Sequence, residues 1–272
     1  MCVVVFFRYN VSASADKPYT SIIHVMWNNF EVPVKWWPSA MSWLKRNHKF
    51  VYCHWTLSEL ESFVADRYPW LLPTYIAYPY FIQRCDVARY LLLYHYGGTY
   101  VDLDVACLVP LSIIFRRAPV DAGVIVAPTE PFGFTTEFIA VRTARDPVIA
   151  GVISGLRRAA VSWWYPPLPY TAVMYRSGPV YFTRRLRCYH DQRRVFIMPS
   201  YKYYGIYVGH IEGGSWHRWD GRIIWNLYQF VGLLSKNIGP LVALSTAVLL
   251  FICIVRYRRL ICRPDLIMYV VI

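Results

Sequence analysis

The chain has seven cysteines but no Cys-x-x-Cys pair and no metal-ligand spacing among them. That excludes a structural zinc site built on thiolates. Seven is odd, so Cys2, Cys53, Cys85, Cys107, Cys188, Cys253 and Cys262 cannot all pair, and the redox compartment stays open. There is no internal repeat and no low-complexity tract, which excludes a solenoid or a long disordered arm. Val3–Phe7 is apolar but short and lacks a basic segment before it, so no signal peptide is expected. Acids are scarce: 16 stand against 29 Lys and Arg, for a formal net charge of +13. No compact basic run accompanies that charge. Its arginines are scattered among Trp and Tyr, which argues against a nucleic-acid groove. An anionic membrane surface fits the charge without one. The pairs Arg157-Arg158, Arg184-Arg185 and Arg193-Arg194 read either as solvated faces or as sites for a phosphate-bearing lipid.

What is present is an apolar, aromatic chain of 272 residues, 56% hydrophobic and 18% aromatic. It has room for one domain of about 220 residues plus appendages. Ile238–Val255 is an uncharged run of 18 residues followed by Arg256, Arg258, Arg259 and Arg263. A buried core helix is one reading. A single membrane span is the expected one, because a core helix is rarely apolar all round and closed by arginines. The expected organisation is an N-terminal segment (1–20), one domain (21–220), an interfacial amphipathic segment (221–237), the span (238–255) and a basic tail (256–272). The arginines predict a cytosolic C-terminus and a lumenal domain, although a tail of 17 residues equally fits a tail anchor. Asn10-Val11-Ser12 fits an N-glycosylation acceptor and agrees with a lumenal domain. Cys262 is either a free thiol or a palmitoylation site.

Local patterns alternate between strand and helix. Strands are expected at Ile22–Trp27, Phe50–Trp55, Thr99–Leu103, Val120–Ala127 and Phe138–Arg142. Helices are expected at Pro38–His48, from a Ser58/Glu61 capping box through Asp66, at Gln83–Tyr96 and at Asp146–Ala160. Pro69, Pro73 and Pro79 predict an irregular connector. The alternation gives an α/β fold, a sheet with helices on both faces.

The most informative stretch is Ile82–Val105, IQRCDVARYLLLYHYGGTYVDLDV. Asp86 and Arg89 are three apart and share a helix face. Gly97 and Gly98 stop the helix. Asp102 and Asp104, two apart on an extended segment, project to one side. Adjacent carboxylates repel unless a positive charge stands between them. A divalent metal carrying a diphosphate answers that need, and oxygen ligands suit Mg²⁺ or Mn²⁺. A bare Asp-x-Asp is also compatible with a surface strand bearing two solvated acids; Asp86, Arg89 and the glycine pair, in order, weigh against it.

With those residues the segment resembles the Asp-x-Asp sugar-transferase family that includes yeast initiating mannosyltransferases and mannosyl inositol-phosphoceramide synthases. It is also similar, more distantly, to the clostridial toxin glucosyltransferase core. The resemblance runs over about residues 20–220 and includes three further blocks: Ser21–Trp27, Trp163–Thr183 and His210–Asp220. It implies a type A glycosyltransferase domain, with a Rossmann-like mixed sheet, that binds a nucleotide sugar. The ceramide-sugar subgroup, the nearest, implies GDP-mannose as donor, Mn²⁺ or Mg²⁺ as cofactor, an inositol-phosphoceramide lipid as acceptor, retention of configuration, and a Golgi or endoplasmic reticulum membrane. A regulatory membrane subunit is a further implied partner. Transfer to protein or glycan acceptors, or a degenerate scaffold, are the alternatives.

Residue by residue, the resemblance implies that Trp27 stacks on the nucleotide base, while a core tryptophan remains an equal reading. His24 reads as structural. Asp86 and Arg89 would hold ribose, phosphate or sugar. Asp102 would contact ribose or sugar and the metal shell, with Tyr100 lining the same pocket. Asp104 would be the firmest metal ligand. His210 or His217 would complete the shell, and Ser215 and Trp216, beside Gly213-Gly214, would meet the diphosphate. Gly178-Pro179 after Ser177 would shape the acceptor side. Relatives carry Asn-Asp where this chain reads Thr136-Glu137, so Glu137 keeps a catalytic carboxylate and the Asn is lost.

Overall fold

A computed structural model describes residues 19–129, 133–162, 168–200, 203–211, 220–224, 226 and 229–230. The chain divides into two compact units, Met1–Ser162 with Val173–Gly214, and Trp163–Ala172 with Ser215–Ile272.

The first unit carries the sheets. Strand β1 (Ile22–Met26) leads through α1 (Trp37–Arg46) to β2 (Val51–Trp55). Helices α2 (Leu57–Arg67), α3 (Leu72–Ala77) and α4 (Phe81–Tyr96) precede β3 (Gly98–Val101), β4 (Val105–Cys107), α5 (Leu111–Arg117), β5 (Val124–Pro128) and β6 (Phe134–Val141). Then come α6 (Pro147–Ser154), α7 (Leu156–Ala160), α8 (Pro169–Arg176), which crosses the unit boundary, α9 (Pro179–Arg187), β7 (Val195–Ile197) and β8 (Val208–His210). Six strands form one mixed sheet in the order β2-β1-β3-β6-β5-β7. Neighbours are parallel except at β6, which runs antiparallel to β3 and β5. A separate antiparallel pair joins β4 to β8, with Val105 opposite His210.

The period of two along β1 sorts its side chains between two cores. Ile22 and Met26 join one cluster with α2, α4, α6 and α9, whereas Ile23 and Val25 join another with α1 and α5. Helices therefore cover both faces, as expected. Every residue of α4 from Cys85 to Leu93 is buried, Asp86 and Arg89 included. Its stop requires both glycines. Gly97 and Gly98 have φ of 69° and 89°. A Cβ on Gly97 would lie 2.7 Å from Thr20 Oγ1, and one on Gly98 would lie 2.6 Å from the Ile22 carbonyl oxygen.

Several expected elements shift. The capping box at α2 is Thr56 with Glu59, two residues earlier than the Ser58/Glu61 pair. Pro73 does not break the 69–79 segment; it sits in the first turn of α3, where its missing N–H costs nothing. The 146–160 helix is two helices meeting at Gly155. Strand β5 begins at Val124, and Val120 is exposed. Strand β6 starts at Phe134 and ends at Val141, one residue before Arg142. Arg142 instead donates from Nε to the Ala122 carbonyl and from Nη2 to the Phe115 carbonyl. Residues 220–224 are helical, in line with the start of the amphipathic segment. No helix among the described residues is long and apolar enough to cross a membrane. The expected span Ile238–Val255 lies outside them, as do the 1–18 segment and the basic tail.

Candidate active site

One half of the site is buried on α4. Arg89 Nη2 stands 3.2 Å from Asp86 Oδ1, with both side chains 3% exposed. Nη1 donates to the Thr136 carbonyl at 2.6 Å and lies 3.6 Å from Asp102 Oδ1. The guanidinium also covers the Tyr100 ring at 4.6 Å. Asp86 Oδ2 accepts from the Ser177 hydroxyl at 2.9 Å, and the Ser177 carbonyl accepts from Tyr90 at 2.7 Å. Burial pushes the Asp86 carboxyl up to about 6, against the pull of Arg89 and Ser177. Tyr100 is itself buried, and its hydroxyl donates to Asp102 Oδ1.

The other half is open. Strand β3 ends at Val101, so Asp102 and Asp104 are not alternate residues of one strand as expected. The Asp102 N–H donates to the Glu137 carbonyl at 2.9 Å, and the Val105 N–H donates back to the Asp102 carbonyl at 3.1 Å. That turn gives the two acids different partners. Asp102 faces Arg89 and Tyr100. Asp104 Oδ2 lies 3.8 Å from His210 Nε2, which β4–β8 pairing places there. Glu137 Oε2 lies 3.8 Å from the same nitrogen. The other oxygen, Oε1, accepts from Tyr203 at 2.9 Å and from Tyr204 at 2.5 Å. Burial raises the Asp104 carboxyl, with Asp102 adding to the rise and His210 opposing it. Burial raises Glu137 as well, opposed by the Tyr204 hydrogen bond.

Among the described residues, Asp102, Asp104 and Glu137 thus share one corner with one guanidinium, that of Arg89. Among the described residues, no three His, Cys, Asp or Glu side chains cage a metal by themselves. The donors that are present, carboxylate oxygens and one imidazole nitrogen at a partly exposed corner, fit Mn²⁺ or Mg²⁺ whose shell a diphosphate would share.

The structure therefore brings together Asp86, Arg89, Tyr100, Asp102, Asp104, Glu137 and His210. Trp27 follows β1, half-buried and edge-on to Trp36 at 4.8 Å, and no contact joins it to these acids among the described residues. Ser215, Trp216 and His217 lie outside the described residues. His24 is structural, as expected. Its Nε2 pairs with the Gly97 carbonyl at 2.9 Å, and Nδ1 accepts from Trp55 at 3.2 Å. Sequence reasoning missed Tyr203, Tyr204 and the Ser177 hydroxyl. A tyrosine pair before Gly205, whose φ is 83°, was the available signal.

Residues 33–121 match the family described as "Glycosyltransferase sugar-binding region containing DXD motif". Inositol phosphoceramide mannosyltransferase 2 of Schizosaccharomyces pombe is 34% identical over 224 residues, 78% of this chain and 62% of that protein. A mannosyl phosphorylinositol ceramide synthase of Saccharomyces cerevisiae is 26% identical over 219 residues, 77% of this chain and 56% of that protein. The chain thus spans less than two thirds of the length of either relative. Among solved structures, PaToxG Glycosyltransferase aligns over 62% of this chain and 69% of its own, with a TM-score of 0.43 and 18% identity. Residues 33–121 of the chain thus carry the sugar-binding region of the DXD-motif glycosyltransferases.

Proposed function

We propose that this chain is a metal-dependent retaining hexosyltransferase that moves mannose from GDP-mannose to an inositol-phosphoceramide lipid at a membrane, with its domain on the lumenal side. The observation that carries this is the corner where Asp102, Asp104, Glu137 and His210 meet beside Arg89. The relatives' names supply the sugar and the lipid class.

Asp104, with Asp102 and His210, would hold the divalent ion, whose charge lets the diphosphate depart as the donor's anomeric C–O bond breaks. Arg89 is engaged by Asp86 and Thr136, so it acts by fixing Asp102 and by setting a positive charge behind the leaving diphosphate. Glu137, held on one oxygen by two tyrosines, keeps its other oxygen toward the site. There it would stabilise positive charge developing on the sugar.

The test is turnover of GDP-mannose, UDP-glucose and UDP-galactose by detergent-solubilised full-length protein, with and without Mn²⁺, followed by inositol-phosphoceramide as acceptor. Mn²⁺-dependent turnover of GDP-mannose, lost in Asp104→Ala, is the expected result. Folded protein inert toward every donor would contradict it and leave a membrane-bound scaffold.

A further inference from the structure

Helix α4 turns two side chains toward one residue. Asp86 and Tyr90 are four apart and share a helix face. Ser177 donates its hydroxyl to Asp86 Oδ2 at 2.9 Å, and its carbonyl accepts from the Tyr90 hydroxyl at 2.7 Å. Ser177 is fully buried. The local chain is built to put it there. Helix α8 ends at Arg176, and the N–H groups of Ser177 and Gly178 both turn back to the Val173 carbonyl, at 3.3 Å and 2.9 Å. Gly178 leaves room for that turn: a Cβ there would lie 3.0 Å from the Val173 carbonyl oxygen and 3.4 Å from Asp86 Oδ2. Pro179 then opens α9.

The Ser177 hydroxyl governs how Arg89 is shared. Among the described residues, two donors meet Asp86: Arg89 Nη2 stands 3.2 Å from Oδ1, and Ser177 takes Oδ2. With Oδ2 satisfied, Arg89 spends one end of its fork on Asp86. The other end, Nη1, stays on the Thr136 carbonyl at 2.6 Å and lies 3.6 Å from Asp102 Oδ1. A guanidinium fork fits both oxygens of a carboxylate at once. A buried carboxylate oxygen stripped of its donor is costly. Without the hydroxyl, Asp86 would therefore draw the whole fork to itself, and Arg89 would leave Thr136 and Asp102.

We propose that Ser177 is a positioning residue for nucleotide and metal binding. By occupying Asp86 Oδ2 it keeps Arg89 divided between Asp86 and Asp102, so that Asp102 stays fixed and the positive charge stays behind the diphosphate. Ser177 acts through Asp86 and Arg89. The inference rests on the proposed metal and nucleotide of this site.

The test is calorimetric titration of the detergent-solubilised full-length protein with GDP, with and without Mn²⁺. Ser177→Ala should weaken Mn²⁺-dependent GDP binding by about tenfold, the worth of one hydrogen bond to a charged group. Ser177→Thr keeps the hydroxyl and should bind as wild type does. Tyr90→Phe removes the other buried hydrogen bond to Ser177; it should lower the unfolding midpoint as Ser177→Ala does, yet leave GDP binding at the wild-type level. Should Ser177→Ala not fold, Ser177→Cys, of similar shape but a weak donor, takes its place with the same expectation. Ser177→Ala that binds GDP with Mn²⁺ at wild-type strength overturns the proposal. So does Tyr90→Phe that binds as weakly as Ser177→Ala, which marks a merely structural contact, or a folded Ser177→Thr that is no better than Ser177→Ala. Wild-type binding that ignores Mn²⁺ refutes the proposed function and this inference with it, whereas a wild type that responds to Mn²⁺ beside an unaffected Ser177→Ala refutes this inference alone.

Discussion

Asp86 and Asp104 are both carboxylates raised by burial, yet the molecule answers them differently. Asp86 sits in the middle of α4 with Arg89 on one oxygen and Ser177 on the other. Asp104 sits in a turn, where Asp102 adds to its rise, Arg89 opposes that rise more weakly than His210 does, and His210 Nε2 lies 3.8 Å away. The first arrangement is complete without a ligand. The second, among the described residues, gathers three carboxylates and one imidazole beside a guanidinium already engaged by Asp86, and in the proposed function a divalent ion completes it.

The largest effect should come from breaking the complete half. Arg89→Ala leaves Asp86 buried without its counter-charge and should cost about 3–5 kcal/mol in denaturant unfolding. A loss under about 1 kcal/mol would mean that Asp86 needs no counter-charge. The next effect lies below that wall, at His24, held neutral at about 4 by burial although the Gly97 carbonyl favours its proton. The unfolded chain takes up that proton near pH 6.5, whereas the folded protein resists it to about pH 4. Stability is therefore present above pH 6.5 and lost as the pH falls toward 4, by about 3 kcal/mol. The raised carboxyl of Asp86 runs the other way in this window: the folded protein keeps that proton to about pH 6, so its contribution is lost as the pH rises. The His24 share is thus the difference in pH slope between wild type and His24→Gln, and parallel slopes would refute it.

Smaller effects sharpen the open half. Tyr203→Phe removes a hydrogen bond from a tyrosine 1% exposed and should cost about 1–2 kcal/mol. Tyr204→Phe, at a ring 46% exposed, should cost less than about 1 kcal/mol. Both should lower turnover while leaving donor affinity near wild type, read as a fall in kcat at constant KM. A rise in KM alone would mean that the pair serves binding rather than the placement of Glu137.

The sequence made the Asp86–Arg89 core of the complete half legible because its signals are local, whereas the Ser177 hydroxyl comes to Asp86 from 91 residues away. Asp86 and Arg89 are one helical step apart, and Gly97-Gly98 marks the stop where positive φ is required. The open half is assembled by pairings that no local pattern carries. His210 reaches Asp104 only because β8 pairs with β4, which sets His210 opposite Val105, 105 residues earlier in the chain. Tyr203 and Tyr204 reach Glu137 across more than sixty positions, 66 and 67 residues apart. The Asp102–Asp104 step was misread as strand because the turn depends on two backbone hydrogen bonds, one of them to β6. Pro73 was misread as a breaker because its tolerance depends on falling in the first turn of α3.

The most direct test of the account is GDP binding by calorimetry, with and without Mn²⁺, in wild type and Asp104→Asn. Asp104→Asn should unfold at the wild-type midpoint or above it, because it removes a raised, repelled carboxylate. The account predicts tight GDP binding to wild type only when Mn²⁺ is present, and no such gain in the variant. GDP binding that is indifferent to Mn²⁺, or an Asp104→Asn protein that keeps the full Mn²⁺ gain, would contradict it.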